Sequence, residues 1–491
     1  MGRRARSVVG LALALVAVWA SGACGSSGNG SGAAGDGGAI GDDCTTCGVD
    51  GASSGRGSGS GGGSGSGSGS GGSSGGSSGS GSGGSSGGDG GIVLPSGRSF
   101  PDTSATIAIL ADQFPSGLTT AQQQFAATHF VGTEKQVLPD TQALRAVNKD
   151  FLVLHYHLAM WQSAPNVSFI VDGKTWGNDY PTVTQNETWF WHDTSNQRVT
   201  APDGKFLMNV SVKGFADYWA TSLAQQVAAG DYDGIMFDSA SPSLLQGWCG
   251  QTGAGQEPRL AGTAAHDTSF VELGNVTWIQ AWQTWIAALD AALAAKGIPL
   301  IPNDSAFVTT WDTTDYALTH GVFSEGFADP TFAVSDWKAS TNELLELAAA
   351  DKLMILQNYL SAPGDLAKRM YYLGNYLLVK GRHSYLDYFA AGALEWYPEW
   401  TVDLGAPTTP ATTDVGALAS GGVYRRDFAK GSVLVNPTSA AVTVPLGGTF
   451  QRVVPTGGGA IDASGSAGGS VTTTSVTSVS VAATSAEILL K

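Results

Sequence analysis

The stretch Asp231-Tyr-Asp-Gly-Ile-Met-Phe-Asp238 decides how the rest of the chain folds. Its apolar run, Ile235-Met236-Phe237, leaves a turn and stops on a carboxylate. In a parallel barrel the C-terminal ends of the strands carry the active-site side chains. An Asp at such an end faces a cleft, with protein dipoles replacing part of its hydration. The same residue could instead cap the next loop or helix. The segments on either side choose between these uses.

Outward from that stretch, from about Thr103 to Trp400, short apolar strands alternate with helical runs. That alternation predicts a parallel α/β architecture. Strands are expected at Ile107–Ala111, weakly at Phe130–Val131, and at Phe151–His155, Gly234–Phe237 and Pro299–Pro302. Others are expected at Val322–Glu325, Leu353–Leu356 and Ser384–Asp387. Helical periodicity covers Thr119–His129, Phe215–Ala229, Thr277–Lys296, Asp336–Ala350 and Gly364–Lys380. In the third of these helices Trp278, Trp282, Trp285, Leu289 and Leu293 recur every three or four residues, a stripe for packing on a sheet. Lys296-Gly297 ends that helix with a favourable charge and a C-terminal glycine. About eight strand–helix units in about 300 residues is the arithmetic of a (β/α)8 TIM-like barrel, assigned to residues 92–404. An open doubly wound sheet is the alternative, but no Gly-rich phosphate fingerprint follows any strand. From 405 to 491 the helical pattern is lost. Pro407 and Pro410 mark a linker, and Val/Thr-rich alternation predicts a small all-β, sandwich-like domain.

The polar residues collected at the strand ends are Asp112, His155, His157, Asp238, Asn303, Asp304, Glu325, Gln357, Asn358 and Asp387. Asp238 after the fourth strand and Glu325 after the sixth are the candidate catalytic pair. Hydrolysis of a glycosidic bond needs two carboxyls, one a protonated acid and the other a nucleophile or base. Asp112, His155, His157, Asn303, Gln357 and Asp387 are the candidate contacts to sugar hydroxyls. His155-Tyr-His157 also permits a metal reading, since the two imidazoles point to one side of a strand. The later strand ends lack further His or Lys ligands, and His383 stands at the wrong end of its strand, so we expect no metal and no cofactor. The long connections Leu158–Lys205 and Ser239–Asn275 leave the same face. They carry Trp161, Trp176, Tyr180, Trp189, Trp191, His192 and Trp248. Some of these aromatics must close the barrel mouth. Trp161 and Trp191 are expected to stack on sugar rings.

At the N-terminus Arg3, Arg4 and Arg6 precede an apolar run from Val8 to Trp19 and the small residues Ser21-Gly22-Ala23, an export signal over 1–23. Ser-Gly-Ala-Cys24 resembles a bacterial lipobox, although position 21 lacks the usual Leu. The resemblance implies a lipid on Cys24; an ordinary secretory signal is the alternative. With no Asp after Cys24, the resemblance to bacterial lipoproteins places the chain in the cell envelope, at the outer membrane of a diderm host. The apolar run is too short for a good membrane span. Residues 24–91 are almost wholly Gly and Ser, the composition of a flexible tether. Within it Cys44-Thr-Thr-Cys47 reads as a local disulfide rather than a redox or half-zinc motif, and Cys249 is left over.

The 491 residues carry a formal net charge of -16, which argues against a nucleic-acid partner. A monomer acting on a carbohydrate, anchored only through its lipid, is the expected state. Ala108-Ile-Leu-Ala-Asp-Gln113, His155-Tyr-His157, Asp233-Gly-Ile-Met-Phe-Asp238 and Ser324-Glu325-Gly326 together resemble the barrels of the hypothetical glycosyl hydrolase-like family fifteen. Tyr424-Arg-Arg-Asp-Phe428 with Gly431-Ser-Val-Leu-Val-Asn-Pro437 resembles the β-domain that often follows such barrels. The resemblance spans roughly Thr103 to Lys491. It implies a glycosidase fold and reaction class, with Asp238 as nucleophile or base and Glu325 as acid. A non-catalytic glycan-binding surface lipoprotein is the competing reading. It would tolerate loss of either acid, and both are present.

Overall fold

The computed structural model describes residues 94–162, 170–171, 174–175, 179–192, 196–200, 204–240, 278–304, 315–390 and 392–491. The expected export signal, Cys24, the tether, Cys44, Cys47, Trp176, Trp248 and Cys249 lie outside the described residues. Each expected apolar run gives a strand at or beside its place. They are β1 Leu110–Ala111, β2 Gly132–Thr133, β3 Leu152–Val153, β4 His155–Leu158 and β5 Ile235–Asp238. Then follow β6 Leu300–Pro302, β7 Gly321–Glu325, β8 Leu353–Tyr359 and β9 Ser384–Phe389. β3 and β4 are two parts of one segment, with Leu154 between them.

All pairings among these strands are parallel, in the orders β1-β2-β3, β4-β5-β6 and β7-β8-β9. Bridges between Asn303 and Phe323 and between Ile109 and Leu386 join β6 to β7 and β9 back to β1. The pairings therefore run full circle. Helices α1 Thr120–His129, α2 Leu138–Val147, α3 Lys213–Gly230, α4 Trp278–Ala294, α5 Val334–Ala349 and α6 Leu366–Val379 alternate with the strands. α1 begins on a reciprocal cap, Thr119 with Gln122. α2, with Pro139 in its first turn, is not among the helices expected from the sequence. Proline is tolerated in a first turn, where its missing N–H is not needed.

Side chains of a strand alternate between its two faces, and that parity sorts the core. Leu110, Leu152, Leu154, Tyr156, Met236, Ile301, Phe323, Leu353, Ile355 and Tyr385 form one buried cluster inside the circle. Residues of the other parity, such as Val153, Val322, Met354 and Leu386, join the outer clusters under the helices. Trp282, Trp285, Leu289 and Leu293 of α4 are buried there, so the tryptophan stripe packs on the sheet. At the N-terminal end of β5, Asp233 accepts hydrogens from Arg98 Nε at 2.6 Å, Arg145 Nη2 at 2.6 Å and the Val153 amide at 2.8 Å. The stretch 231–238 is thus pinned at one end and leaves Asp238 at the other.

The C-terminal region is β-rich. β10 Ala419–Ser420, β11 Val423–Phe428, β12 Gly431–Asn436, β13 Val442–Thr456, β14 Ser470–Val481 and β15 Ser485–Leu490 form one sheet. Its order is β10-β11-β12-β15-β13-β14, antiparallel throughout. One face of this hydrogen-bonded sheet covers α6, and on its other face Val423, Leu434 and Leu489 are buried against Val444, Leu446, Val479 and Val481 of the β13–β14 hairpin. Contact with α6 is close: a Cβ on Gly374 would stand 2.2 Å from the Ala486 Cβ.

Candidate active site

Beyond the apolar interior, seven inward side chains turn polar together, on or just past the ends of their strands. Register places Asp112 and Glu134 after β1 and β2, Asp238 on β5 and Asn303 after β6 on the inner face. It places Glu325, Gln357 and Asp387 there on β7, β8 and β9. Tyr156 of β4 reaches the same layer from within. Six of these residues were legible at strand ends; Glu134 and Tyr156 were not.

Asn303 Nδ2 donates to Asp238 Oδ1 at 2.9 Å and to Glu325 Oε2 at 2.8 Å. Those two oxygens are no farther apart than the sum of the two lengths. Asp238 takes a second hydrogen from Tyr156, whose hydroxyl lies 2.5 Å from Oδ2. Glu325 takes its second from Tyr359, at 2.8 Å to Oε1, and Gln357 Nε2 donates to that Tyr359 oxygen at 3.0 Å. Burial first, and then the neighbouring Asp238 charge, push the Glu325 carboxyl up to about 7.

Opposite lies a second group. Lys135 Nζ is 2.6 Å from Asp112 Oδ1, and the Asp112 amide donates to Asp387 Oδ2 at 2.9 Å. Glu134 is fully buried, and burial followed by the Asp112 charge raises it well above the carboxylate range. Asp387 is raised well above that range too, chiefly by burial. Two backbone outliers flank the layer: Lys135 at φ 56° and Ser239 at φ 54°. Non-glycine residues rarely hold this left-handed conformation, and such strain collects at functional sites. Among the described residues no cluster of three His, Cys, Asp or Glu side chains is placed to hold a metal ion.

Four candidate contacts are corrected. His155 and His157 do share one side of their strand, but it is the outer one. His155 Nε2 contacts Gln226 Oε1 of α3 at 2.7 Å, and its ring stacks on Tyr232. Burial lowers its imidazole to about 3. His157 Nε2 contacts Asp179 Oδ2 at 2.8 Å and packs on Trp219. The tyrosine between them is the residue that faces the acids. Trp161 and Trp191 are each 1% exposed and belong to the outer core with Phe190, Phe215 and Trp219. Their rings pack in the core under the helices.

The family profile described as hypothetical glycosyl hydrolase family 15 matches residues 145–432, more than half of the chain. The chain belongs to that family. The match begins after β2 and ends within β12, so it is shorter than the Thr103–Lys491 span read from the motifs. No curated protein matches. Among solved structures, a maltogenic α-amylase from Thermotoga neapolitana is similar at 11% identity, over 78% of this chain and 98% of that one, with a TM-score of 0.37. An exo β-N-acetylglucosaminidase from Vibrio harveyi is similar at 8% identity, over 54% and 43%, with a TM-score of 0.32. A trehalose-6-phosphate hydrolase from Bacillus licheniformis is similar at 10% identity, over 78% and 99%, with a TM-score of 0.39. These likenesses are distant; the family assignment rests on the sequence match.

Proposed function

We propose that the circle of parallel strands is a (β/α)8 barrel and that its polar end cleaves O-glycosidic bonds of an oligo- or polysaccharide. Glu325 is the general acid and Asp238 the nucleophile. The observation that carries this reading is the Asn303 amide bonded to both carboxyls. It keeps the two bridged oxygens no farther apart than the sum of 2.9 and 2.8 Å, close to the about 5–5.5 Å typical of retaining enzymes and short of the roughly 6.5–9.5 Å that an inverting pair needs. Their surroundings divide the roles. Glu325 keeps its proton to about pH 7, as a general acid must, and Asp238 is left as its partner.

In the first step Glu325 protonates the glycosidic oxygen while an Asp238 oxygen attacks the anomeric carbon. The alcohol leaves, and the sugar remains as an ester of Asp238. The Glu325 carboxylate then takes a proton from water, whose oxygen attacks the same carbon and frees Asp238.

The test is a panel of polysaccharides with reducing-end detection. Asp238→Asn and Glu325→Gln should each keep the fold and lose on the order of 10²–10⁴-fold in turnover. Glu325→Gln should lose least on glycosides with good leaving groups. Two amide variants working at near wild-type rates would overturn the assignment.

A further inference from the structure

The proposed mechanism uses Asp238 but not the two groups stacked behind it. We infer that Tyr156, with the Lys135 ammonium held against its ring, is a positioning residue that keeps Asp238 ionised and aimed. This rests on the reading of Asp238 as nucleophile.

The Tyr156 hydroxyl is 2.5 Å from Asp238 Oδ2, and a phenol can only donate to a carboxylate. Asn303 holds the other oxygen, so the carboxylate plane is fixed from two directions. Lys135 Nζ lies 4.9 Å from the centroid of the Tyr156 ring. A cation on a phenol face is attracted to the ring and draws electron density from it, which makes the hydroxyl a stronger donor. Lys135 is held there by its ion pair with Asp112. Its left-handed backbone turns it into the layer directly after Glu134, whose amide is fixed on the Ala111 and Asp112 carbonyls. Among the described residues, the charged and titratable groups facing the Tyr156–Asp238 pair are Lys135, Glu134, Asp112 and Glu325, with Asp387 next to Asp112. Lys135 is the one cation of that set.

The experiment uses the full chain labelled with ¹³Cζ-tyrosine. The Tyr156 resonance is the one lost in Tyr156→Phe, and it should titrate as Asp238 takes up a proton. Asp238→Asn should abolish that titration. Lys135→Met should move its midpoint upward by about one pH unit, and Lys135→Arg should restore it. On the 4-nitrophenyl glycoside that the wild type cleaves fastest, Tyr156→Phe should move the acid limb of kcat/KM upward by about one to two pH units, with its melting temperature retained. A packing role alone would move neither quantity. If Asp238→Asn is inactive but the midpoint and the limb stay in place, this inference fails and the proposed mechanism stands. If Asp238→Asn hydrolyses at the wild-type rate, the mechanism fails and takes the inference with it.

Discussion

Asp238 and Glu325 accept hydrogens from the same nitrogen, Asn303 Nδ2, yet meet opposite surroundings on their far sides. Tyr156 lies behind Asp238, with a lysine over its ring. Glu325 has burial and the charge of Asp238 against its ionisation. One amide thus joins a buried acid arranged to keep its proton to a second carboxyl held on its far side by a tyrosine.

This asymmetry should appear in stability without any substrate. Below the ordinary Glu value of 4.5, Glu325 is protonated in both the folded and the unfolded chain. Between there and about 7 the unfolded chain loses the proton and the folded chain keeps it, so stability falls as pH rises through that window. Glu325→Gln removes the buried ionisation. Calorimetry should find the melting temperatures of variant and wild type equal at pH 4 and the variant higher at pH 8. Equal values at pH 8 would show that the folded chain carries the ionised Glu325 without strain.

The same window bears on rate. With Glu325 as acid, kcat should fall on the alkaline side with a midpoint near 7, and Lys135→Met should move that limb upward, because the lysine charge lowers the Glu325 value. A pH–rate profile of the two proteins checks both statements. A flat profile from pH 6 to 9 would remove Glu325 from the acid role.

Strand positions were readable because each inner strand is a short apolar run ended by a polar residue. Asp112, Asp238, Asn303, Glu325, Gln357 and Asp387 are therefore legible as strand-end residues, and register puts them on the inner face. Parity was not readable in His155-Tyr-His157, where either face offers plausible chemistry. Only its pairing with Met236, and that of Leu158 with Asp238, shows that Tyr156 is the inner residue. The second strand was placed at Phe130–Val131 and lies at Gly132–Thr133. That shift hid Glu134 and Lys135, which close the far side of the site.

Burial turns the two tryptophan candidates into stability residues. Trp161→Ala or Trp191→Ala should cost about 3–5 kcal/mol, the range for emptying a large aromatic site in a core. Trp191→Phe should be milder and leave KM for oligosaccharides unchanged. A rise in KM with normal stability would return these rings to the binding surface.

A buried ion pair lies at the seam between the circle of strands and the C-terminal sheet. Arg369 of α6 is 2% exposed and Glu399 is fully buried. They meet twice, Nε to Oε1 at 2.7 Å and Nη2 to Oε2 at 2.5 Å. Tyr388 of β9 donates to the same Oε1, and Arg369 Nη1 donates to the carbonyls of Pro363 and Gly457. The guanidinium therefore ties the helix, the turn carrying Glu399 and the segment just after β13 into one knot. Desolvating such a pair consumes most of its Coulombic gain, but removing one member leaves the other charge buried and uncompensated. Glu399→Gln or Arg369→Met should each cost about 3–5 kcal/mol in urea unfolding. The double variant should cost clearly less than the two single losses together, since neither charge is then stranded. Additive losses would mean that each residue stabilises the seam through its other bonds and that the pair itself is incidental.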